Sequence, residues 1–122
     1  MTSATQLNEF IEHLKSAPES IEFSDVMSLI ETHYDYQATD FKNGVEPHEV
    51  QNAAGTNEGS CKIFAFAQIN GLSKEQTLAC FGAFYRDDVL KYPNGNDHQN
   101  IRNFMLSGWA GISFAKVALT PK

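Results

Sequence analysis

The residues with the clearest chemical potential lie around Cys61, where a glycine-containing loop runs into an apolar segment. Residues 52–67 read NAAGTNEGSCKIFAFA, and the apolar spacing predicts that a helix begins close to Ser60. The unpaired amide groups and the dipole of a helix N-terminus stabilise a thiolate, and Lys62 adds positive charge nearby. The sequence therefore indicates Cys61 as a candidate nucleophile.

A cysteine nucleophile needs a base, and His98 in the segment NGNDHQN is the best candidate. Asp97 or Asn100 would orient its imidazole. Backbone amides around Ser60 and Cys61 would form an oxyanion hole, which completes a cysteine-dependent hydrolase or transamidase. We favour the simpler interpretation, in which Cys61 packs as a small apolar side chain, Asp97 caps a helix and His98 is solvated.

The loop before Cys61 is a weaker candidate for an anion site. Glycines ahead of a helix can present backbone N–H groups, and Gly59 and Ser60 occupy such positions. The Walker pattern needs a lysine directly after its second glycine, and this loop has Ser60 there. Glu58 would also repel a phosphate, so the sequence favours a tight connection over a nucleotide site.

The metal-ligand residue types have no diagnostic spacing. The candidates are His48, Glu49, Asp97 and His98. The segment HEV lacks the second histidine that a zinc-binding helix needs. We therefore expect neither a metal nor any other cofactor.

The aromatic residues of the polar segments offer a different kind of site, a binding surface. Tyrosine and tryptophan in a patch are typical of binding surfaces, and they exceed what one small core needs to bury. We expect a groove near Cys61. Its predicted binding residues are Tyr36, Gly59, Ser60, Tyr92, Asn100 and Trp109. The alternative, in which the aromatic side chains close over the core, is equally favoured.

Size and composition are those of an ordinary one-domain globular protein. The chain has 122 residues, of which 42% are hydrophobic and 20% are charged. A net charge of −6 with scattered basic residues disfavours nucleic acid and membranes as partners. No signal peptide or membrane-spanning run is evident, and two cysteines without a Cys-x-x-Cys spacing are typical of a cytoplasmic protein.

Helices must position most of the candidate residues. The apolar spacing predicts them over about 4–16, 24–34, 60–69 and 98–106. Residues 73–76, Ser-Lys-Glu-Gln, form a capping box that opens a further helix, whose core stripe is Leu78, Phe81 and Tyr85. The helix over 60–69 is apolar nearly all round, so we expect it to be buried at the centre.

Short strands complete the predicted fold. Strands are expected over 36–42 and 45–51, joined by a hairpin turn at Asn43-Gly44, and over 111–119. The fold class is therefore α+β, with about five helices around a buried central helix and a small antiparallel β-sheet. Residues 1–122 are expected to form a single domain.

Four blocks of the sequence resemble the HopJ type III effector family. They read TDFKNG, NAAGTNEGSCKIFAFA, TLACFGAFYRDDVLKYPNGNDHQNIRNFM and GWAGISF, and they span roughly residues 20–120. The resemblance implies a bacterial protein, and it implies a context in which some members are delivered into host cells. It implies no reaction, substrate or cofactor. An acidic residue commonly follows the tryptophan in this family, and Ala110 stands there in this chain.

The sequence thus favours a small cytoplasmic protein that binds an unidentified partner protein or small ligand. On this hypothesis Cys61→Ser leaves function intact, whereas Trp109→Ala damages it. The alternative is the cysteine-dependent acyl-transfer enzyme that uses Cys61, His98 and Asp97. The sequence leaves open which of the two holds, and so whether the protein is an enzyme.

Overall fold

The first part of the chain forms two helices that follow the apolar spacing. The computed structural model describes residues 3–122, with side chains from residue 6 onward. Helix α1 spans Ser3–Ser16, a short 3₁₀ turn spans Pro18–Ser20, and helix α2 spans Phe23–His33. Leu14 on α1 is fully buried, as its place in the apolar stripe predicts. The ends of both helices lie within one residue of the predicted ones.

Helix α3, Glu58–Ile69, is the buried centre that its apolar sequence predicts. Every side chain from Ile63 to Ala67 is buried. Phe64 on this helix contacts the aromatic rings of Phe41, Phe81, Phe104 and Trp109. Because these rings come from segments distant in sequence, the packing fixes α3 against the rest of the molecule.

The predicted fourth helix is two separate helices. Helix α4, Lys74–Ala79, begins with the expected capping box, in which the Gln76 N–H donates to Ser73 Oγ at 3.1 Å. The helix ends early because Gly82 has a φ of +60°, and a Cβ there would lie 2.7 Å from the Phe23 nitrogen. A π-helical turn follows at Phe84–Val89, so the prediction of one continuous helix is wrong.

Helix α5, Gln99–Ser107, begins where predicted but without the predicted cap. The N-cap residue is His98, and the Asp97 carboxylate instead accepts a hydrogen bond from Arg102 Nη2 at 2.6 Å. Gly108, with a φ of +59°, ends the helix as expected, and a short 3₁₀ turn follows it.

The strands are shorter than predicted and form two antiparallel sheets. They are β1 (Tyr34–Tyr36), β2 (Phe41–Asn43), β3 (Val50–Asn52), β4 (Ser113–Phe114) and β5 (Leu119–Pro121). Strand β1 pairs with β5, placing Tyr34 opposite Pro121. Strand β2 lies between β3 and β4, and Phe41 is opposite both Asn52 and Phe114.

Asn43-Gly44 does not form the predicted two-residue hairpin turn. Residues 44–49 form a longer loop between β2 and β3, with a cis peptide bond at Glu46-Pro47. The Gly44 N–H donates to the Gly111 carbonyl at 3.1 Å, and a Cβ on Gly111 would lie 2.6 Å from the Gly44 nitrogen. This close approach of two backbones requires glycine and sets the end of β2 against the C-terminal segment.

The α+β prediction is confirmed. Within residues 3–122 the chain has five α-helices and two small antiparallel sheets, where the sequence predicted one sheet. None of the helices in this range is long and apolar enough to cross a membrane.

Candidate functional site

A cleft of about 340 Å³ lies where helices α3 and α5 begin. Its apolar lining residues are Phe23, Val50, Phe81, Phe84 and Ile101. Its polar lining residues are Asn57, Gly59, Ser60, His98, Gln99 and Asn100. The volume and this mixture of apolar walls with a few polar groups are typical of small-molecule sites.

Both helices that open onto the cleft begin without a capping side chain. The N-cap residues are Asn57 for α3 and His98 for α5, and each has a left-handed φ of 50°. In the described part of the chain these are the non-glycine residues with positive φ. A left-handed backbone is uncommon for a non-glycine residue, and such residues are found preferentially at functional sites.

Four backbone amides at these helix starts have no partner. Within residues 3–122 no acceptor pairs with the N–H groups of Gly59, Ser60, Gln99 or Asn100. The first hydrogen bonds of the two helices come one residue later, from Cys61 N–H to the Asn57 carbonyl and from Ile101 N–H to the His98 carbonyl. The unpaired amides belong to residues that line the cleft, so they can donate to oxygen atoms of a ligand.

The His98 imidazole is held in a fixed orientation at the cleft. Its Nε2 lies 3.1 Å from Asp88 Oδ2, and its ring packs on Phe84 with centroids 5.4 Å apart. The predicted orienting residue, Asp97, lies farther away, with its Oδ2 3.9 Å from the same nitrogen. Asp88 on the π-helical turn, and not the predicted Asp97, therefore makes the shorter contact with the His98 ring.

Asn100 connects the cleft to a cluster of buried carboxamides. Its Oδ1 accepts hydrogen bonds from Asn43 Nδ2 at 3.0 Å and Asn52 Nδ2 at 3.1 Å, and its Nδ2 donates to Asn52 Oδ1 at 2.9 Å. Asn57 Nδ2 donates to the same Asn52 oxygen at 2.8 Å. The cluster ties strands β2 and β3 to the starts of both helices, which fixes the position of the cleft residues.

Cys61 does not line the cleft. Its side chain is 1% exposed, and burial raises the pKa of the Cys61 thiol; a hydrogen bond from Tyr36 and the positive charge of Lys62 oppose that rise. His98 bonds to Asp88 and not to Cys61. The catalytic role of Cys61 with His98 and Asp97 stays a prediction, and the buried thiol with its raised pKa disfavours it.

Asp97 and Tyr92 belong to a neighbouring turn organised by Arg102. The Arg102 guanidinium donates to the Asp97 carboxylate at 2.6 Å, and this hydrogen bond is the main cause that lowers the pKa of Asp97. Arg102 Nη1 also donates to the Tyr92 carbonyl at 2.9 Å. The Tyr92 side chain is 67% exposed and does not line the cleft.

Tyr36 and Trp109 also lie away from the cleft lining. The Tyr36 ring carries Lys62 Nζ at 4.7 Å from its centroid, and burial raises the pKa of its hydroxyl. Trp109 packs on Phe104 and donates from Nε1 to the Leu72 carbonyl at 3.1 Å. The structure thus brings Gly59, Ser60 and Asn100 together and leaves the three predicted aromatic residues elsewhere.

Comparisons with known proteins identify the family. Residues 7–119 match the HopJ type III effector protein family. The chain belongs to this family. A solved crystal structure, that of the unknown-function protein VPA0580, is 56% identical with a TM-score of 0.90 over 95% of this chain and 93% of that chain. No curated protein matches.

Sequence reasoning on this HopJ-family chain missed several residues of the cleft. Phe23, Phe84 and Asn57 carry no local sequence signal that points to a cleft. Asp88 lies ten residues before His98, and no periodicity links residues across an irregular turn. The one sequence signal for this cleft is the number of asparagines near both helix starts. Buried carboxamides need hydrogen-bond partners, so several asparagines close together indicate a buried polar cluster.

The structure of the HopJ-family chain shows no grouped metal ligands in its described part. Among residues 3–122, no three His, Cys, Asp or Glu side chains gather where one ion could be held. The cleft lining contributes a single ligand of these types, His98.

Proposed function

We propose that this HopJ-family protein binds a small organic ligand in the cleft at the starts of α3 and α5. One observation carries the proposal: four unpaired backbone amides from two helices belong to residues that line a single cavity of about 340 Å³. The first N–H groups of a helix have no partner within the helix, and a ligand oxygen in the cleft would accept hydrogen bonds from them. The left-handed N-caps Asn57 and His98 support the same proposal.

The lining favours a neutral oxygen over a phosphate. No Lys or Arg lines the cleft within the described residues, and the Asp88 carboxylate lies beside His98. The phenylalanine rings offer an apolar surface for the body of a ligand. We infer a ligand with an aryl or alkyl group that carries a carbonyl oxygen.

Gly59 gives a direct test of this proposal. A Cβ at Gly59 would lie 2.8 Å from Cζ of the Phe23 ring, so alanine there must displace a ring that lines the cleft. N-benzylacetamide is a suitable probe, and at its size a dissociation constant of about 1 mM is expected. Titration calorimetry should show binding to the natural protein and at least a tenfold loss in Gly59→Ala.

A control variant separates cleft blockage from unfolding. Ser28→Ala changes an exposed side chain on α2 and should bind the probe like the natural protein. Equal binding by Gly59→Ala and the natural protein would overturn the proposal, as would no binding by any of the three proteins.

The alternative, a cysteine-dependent acyl-transfer enzyme that uses Cys61 and His98, has less support. Its nucleophile is buried with a raised pKa, and its base pairs with Asp88. Binding without Cys61 chemistry predicts that Cys61→Ser still binds N-benzylacetamide. Hydrolysis of 4-nitrophenyl acetate by the natural protein and not by a folded Cys61→Ser variant would favour the alternative.

Family membership supports a bacterial protein that is made in the cytoplasm and passes into a host cell. The support is the family itself, whose members are described as type III effectors. A fusion of this chain to a calmodulin-dependent cyclase, expressed in a bacterium with a type III machine, tests delivery. Cyclic AMP in host cells is the expected result, and a signal equal to that of a strain lacking the machine would contradict it.

A further inference from the structure

The His98 ring can accept a proton through Nδ1. Its Nε2 lies 3.1 Å from an oxygen of Asp88, and a carboxylate can only accept, so Nε2 carries the proton. In the neutral ring the other nitrogen, Nδ1, then has the free lone pair. A carboxylate that holds one ring nitrogen in this way leaves the other nitrogen free to act as a base.

The second carboxylate near His98 does not compete for this role. Asp97 Oδ2 lies 3.9 Å from Nε2, while Asp97 Oδ1 is bound at 2.6 Å by the Arg102 guanidinium. Arg102 therefore offsets the charge of Asp97. Asp88 is the carboxylate that orients the ring.

Ser60 supplies a hydroxyl to the same cleft. It is half-buried in the first turn of α3, and none of the side-chain hydrogen bonds found within residues 3–122 uses its hydroxyl. The backbone N–H groups of Gly59 and Ser60 are also unpaired. The first turn of α3 thus provides a hydroxyl that can act as a nucleophile and two backbone N–H groups that can form an oxyanion hole.

We propose that Ser60, His98 and Asp88 form an acyl-transfer centre that hydrolyses small aryl or alkyl esters bound in the cleft. This inference rests on the proposed function, because the ester carbonyl would be the ligand oxygen that the free amides hold. Ser60 is the nucleophile, His98 the base and Asp88 a positioning residue. No hydrogen bond joins Ser60 to His98 in this structure, and such contacts commonly tighten when substrate binds.

The reaction balances with water as the only co-reactant. Ser60 Oγ forms a bond to the ester carbon while its proton passes to His98 Nδ1, and the amides of Gly59 and Ser60 hold the oxyanion. The bond from carbon to the alcohol oxygen then breaks, and His98 returns the proton to the leaving alcohol. Water attacks the acyl-serine, gives a proton through His98 to Ser60 Oγ, and releases the carboxylic acid.

Exposure distinguishes Ser60 from the cysteine beside it. Ser60 lines the cleft, whereas the Cys61 side chain is 1% exposed and points into the core cluster. Adjacent residues on a helix face different directions, so only one of the two can meet His98 at the cleft. In the segment Gly-Ser-Cys, the serine and not the cysteine is therefore the nucleophile of the proposed reaction.

Covalent labelling tests the inference without any known substrate. Diisopropyl fluorophosphate transfers its phosphoryl group to an activated serine with loss of fluoride, and peptide mass spectrometry locates the adduct. We expect the adduct on Ser60 in the natural protein and in Ser28→Ala, and no adduct in His98→Gln. An unlabelled Ser60, or equal labelling in His98→Gln, would overturn the inference.

Ester hydrolysis gives the second readout. With 4-nitrophenyl acetate, Ser60→Ala and His98→Gln should each lower the rate constant by about 10²-fold or more. Asp88→Asn should shift the pH profile of the residual activity, which a merely structural residue would not do. Hydrolysis unaffected by Ser60→Ala would reject the inference.

The proposed binding function and this inference fail separately. N-benzylacetamide resists the hydrolysis and tests only the cleft. If it binds while Ser60 stays unlabelled, binding stands and the acyl-transfer centre is rejected. If it does not bind while Ser60 is labelled in the natural protein and not in His98→Gln, the binding proposal is rejected and the acyl-transfer centre stands.

Discussion

At the scale of single residues, burial decides which of the candidate side chains can react. Cys61 sits at a helix start, yet its amide is already used by the helix and its thiol lies in the core. Desolvation therefore outweighs the helix N-terminus and raises the pKa of the thiol. One position earlier, Ser60 keeps access to the cleft.

The thiols should therefore react slowly. Burial raises the pKa of Cys61 and raises that of Cys80 to about 12, so both stay protonated at neutral pH. Because the thiolate is the reactive form, the rate of alkylation by iodoacetamide should rise about tenfold per pH unit from pH 7 to 9. Mass spectrometry of both peptides measures it, and fast alkylation of Cys61 that is already independent of pH near 7 would contradict the account.

At the scale of elements, carboxamides hold the helix starts to the sheet. Asn100 on α5 makes three side-chain hydrogen bonds to Asn43 on β2 and Asn52 on β3. Asn43 is fully buried and Asn52 is almost fully buried. Their side-chain amides therefore depend on protein partners for hydrogen bonds. The cluster holds the start of α5 against strands β2 and β3 and so fixes the position of the cleft residues.

Removing the central carboxamide should weaken the fold. Asn100→Ala removes three hydrogen bonds to the buried carboxamides of Asn43 and Asn52, and this should cost about 2–4 kcal/mol of the free energy of unfolding. Urea denaturation measures the loss. The exposed Asn96→Ala serves as the matched control and should stay within about 0.5 kcal/mol of the natural protein. A loss below about 0.5 kcal/mol in Asn100→Ala would show that the cluster contributes little.

The positions of the helices were predictable from the sequence where apolar spacing or a capping motif marks them. The apolar stripes fixed α1, α2 and α3, and the Ser73 capping box fixed the start of α4. The early end of α4 was not predictable, because Gly82 stops the helix through a close approach to Phe23, which is distant in sequence. The bounds of the strands were less predictable for a similar reason, because pairing partners such as β1 and β5 lie far apart in the sequence.

The candidate site was predictable in part. Gly59, Ser60, His98 and Asn100 were identified because a loop running into a helix is visible in the sequence. The aromatic groove of Tyr36, Tyr92 and Trp109 was not found at the cleft, because exposure of a ring depends on neighbours that local spacing does not show.

At the scale of the whole molecule, contacts between residues distant in sequence join residues 34–44 to the C-terminal segment. Strand β1 pairs with β5, and Gly44 bonds to Gly111, so early and late segments depend on each other. The rings around Phe64 come from four other segments of the chain. These long-range contacts favour a single cooperative domain.

Cooperative unfolding is the measurable consequence. Trp109 is the one tryptophan and packs on Phe104 in the core, so its fluorescence reports tertiary packing, while circular dichroism at 222 nm reports the helices. The two urea transitions should share one midpoint. A fluorescence transition that clearly precedes the loss of helix would show that the C-terminal segment unfolds separately.

The central claim is that ligands bind at the starts of α3 and α5, and amide NMR tests it most directly. Uniformly ¹⁵N-labelled protein is titrated with N-benzylacetamide, and each backbone amide is followed. The account predicts that the largest shifts fall on Gly59, Ser60, Gln99 and Asn100, the residues whose N–H groups are unpaired at the cleft. Saturable shifts confined to other surfaces, with these four amides unmoved, would contradict it.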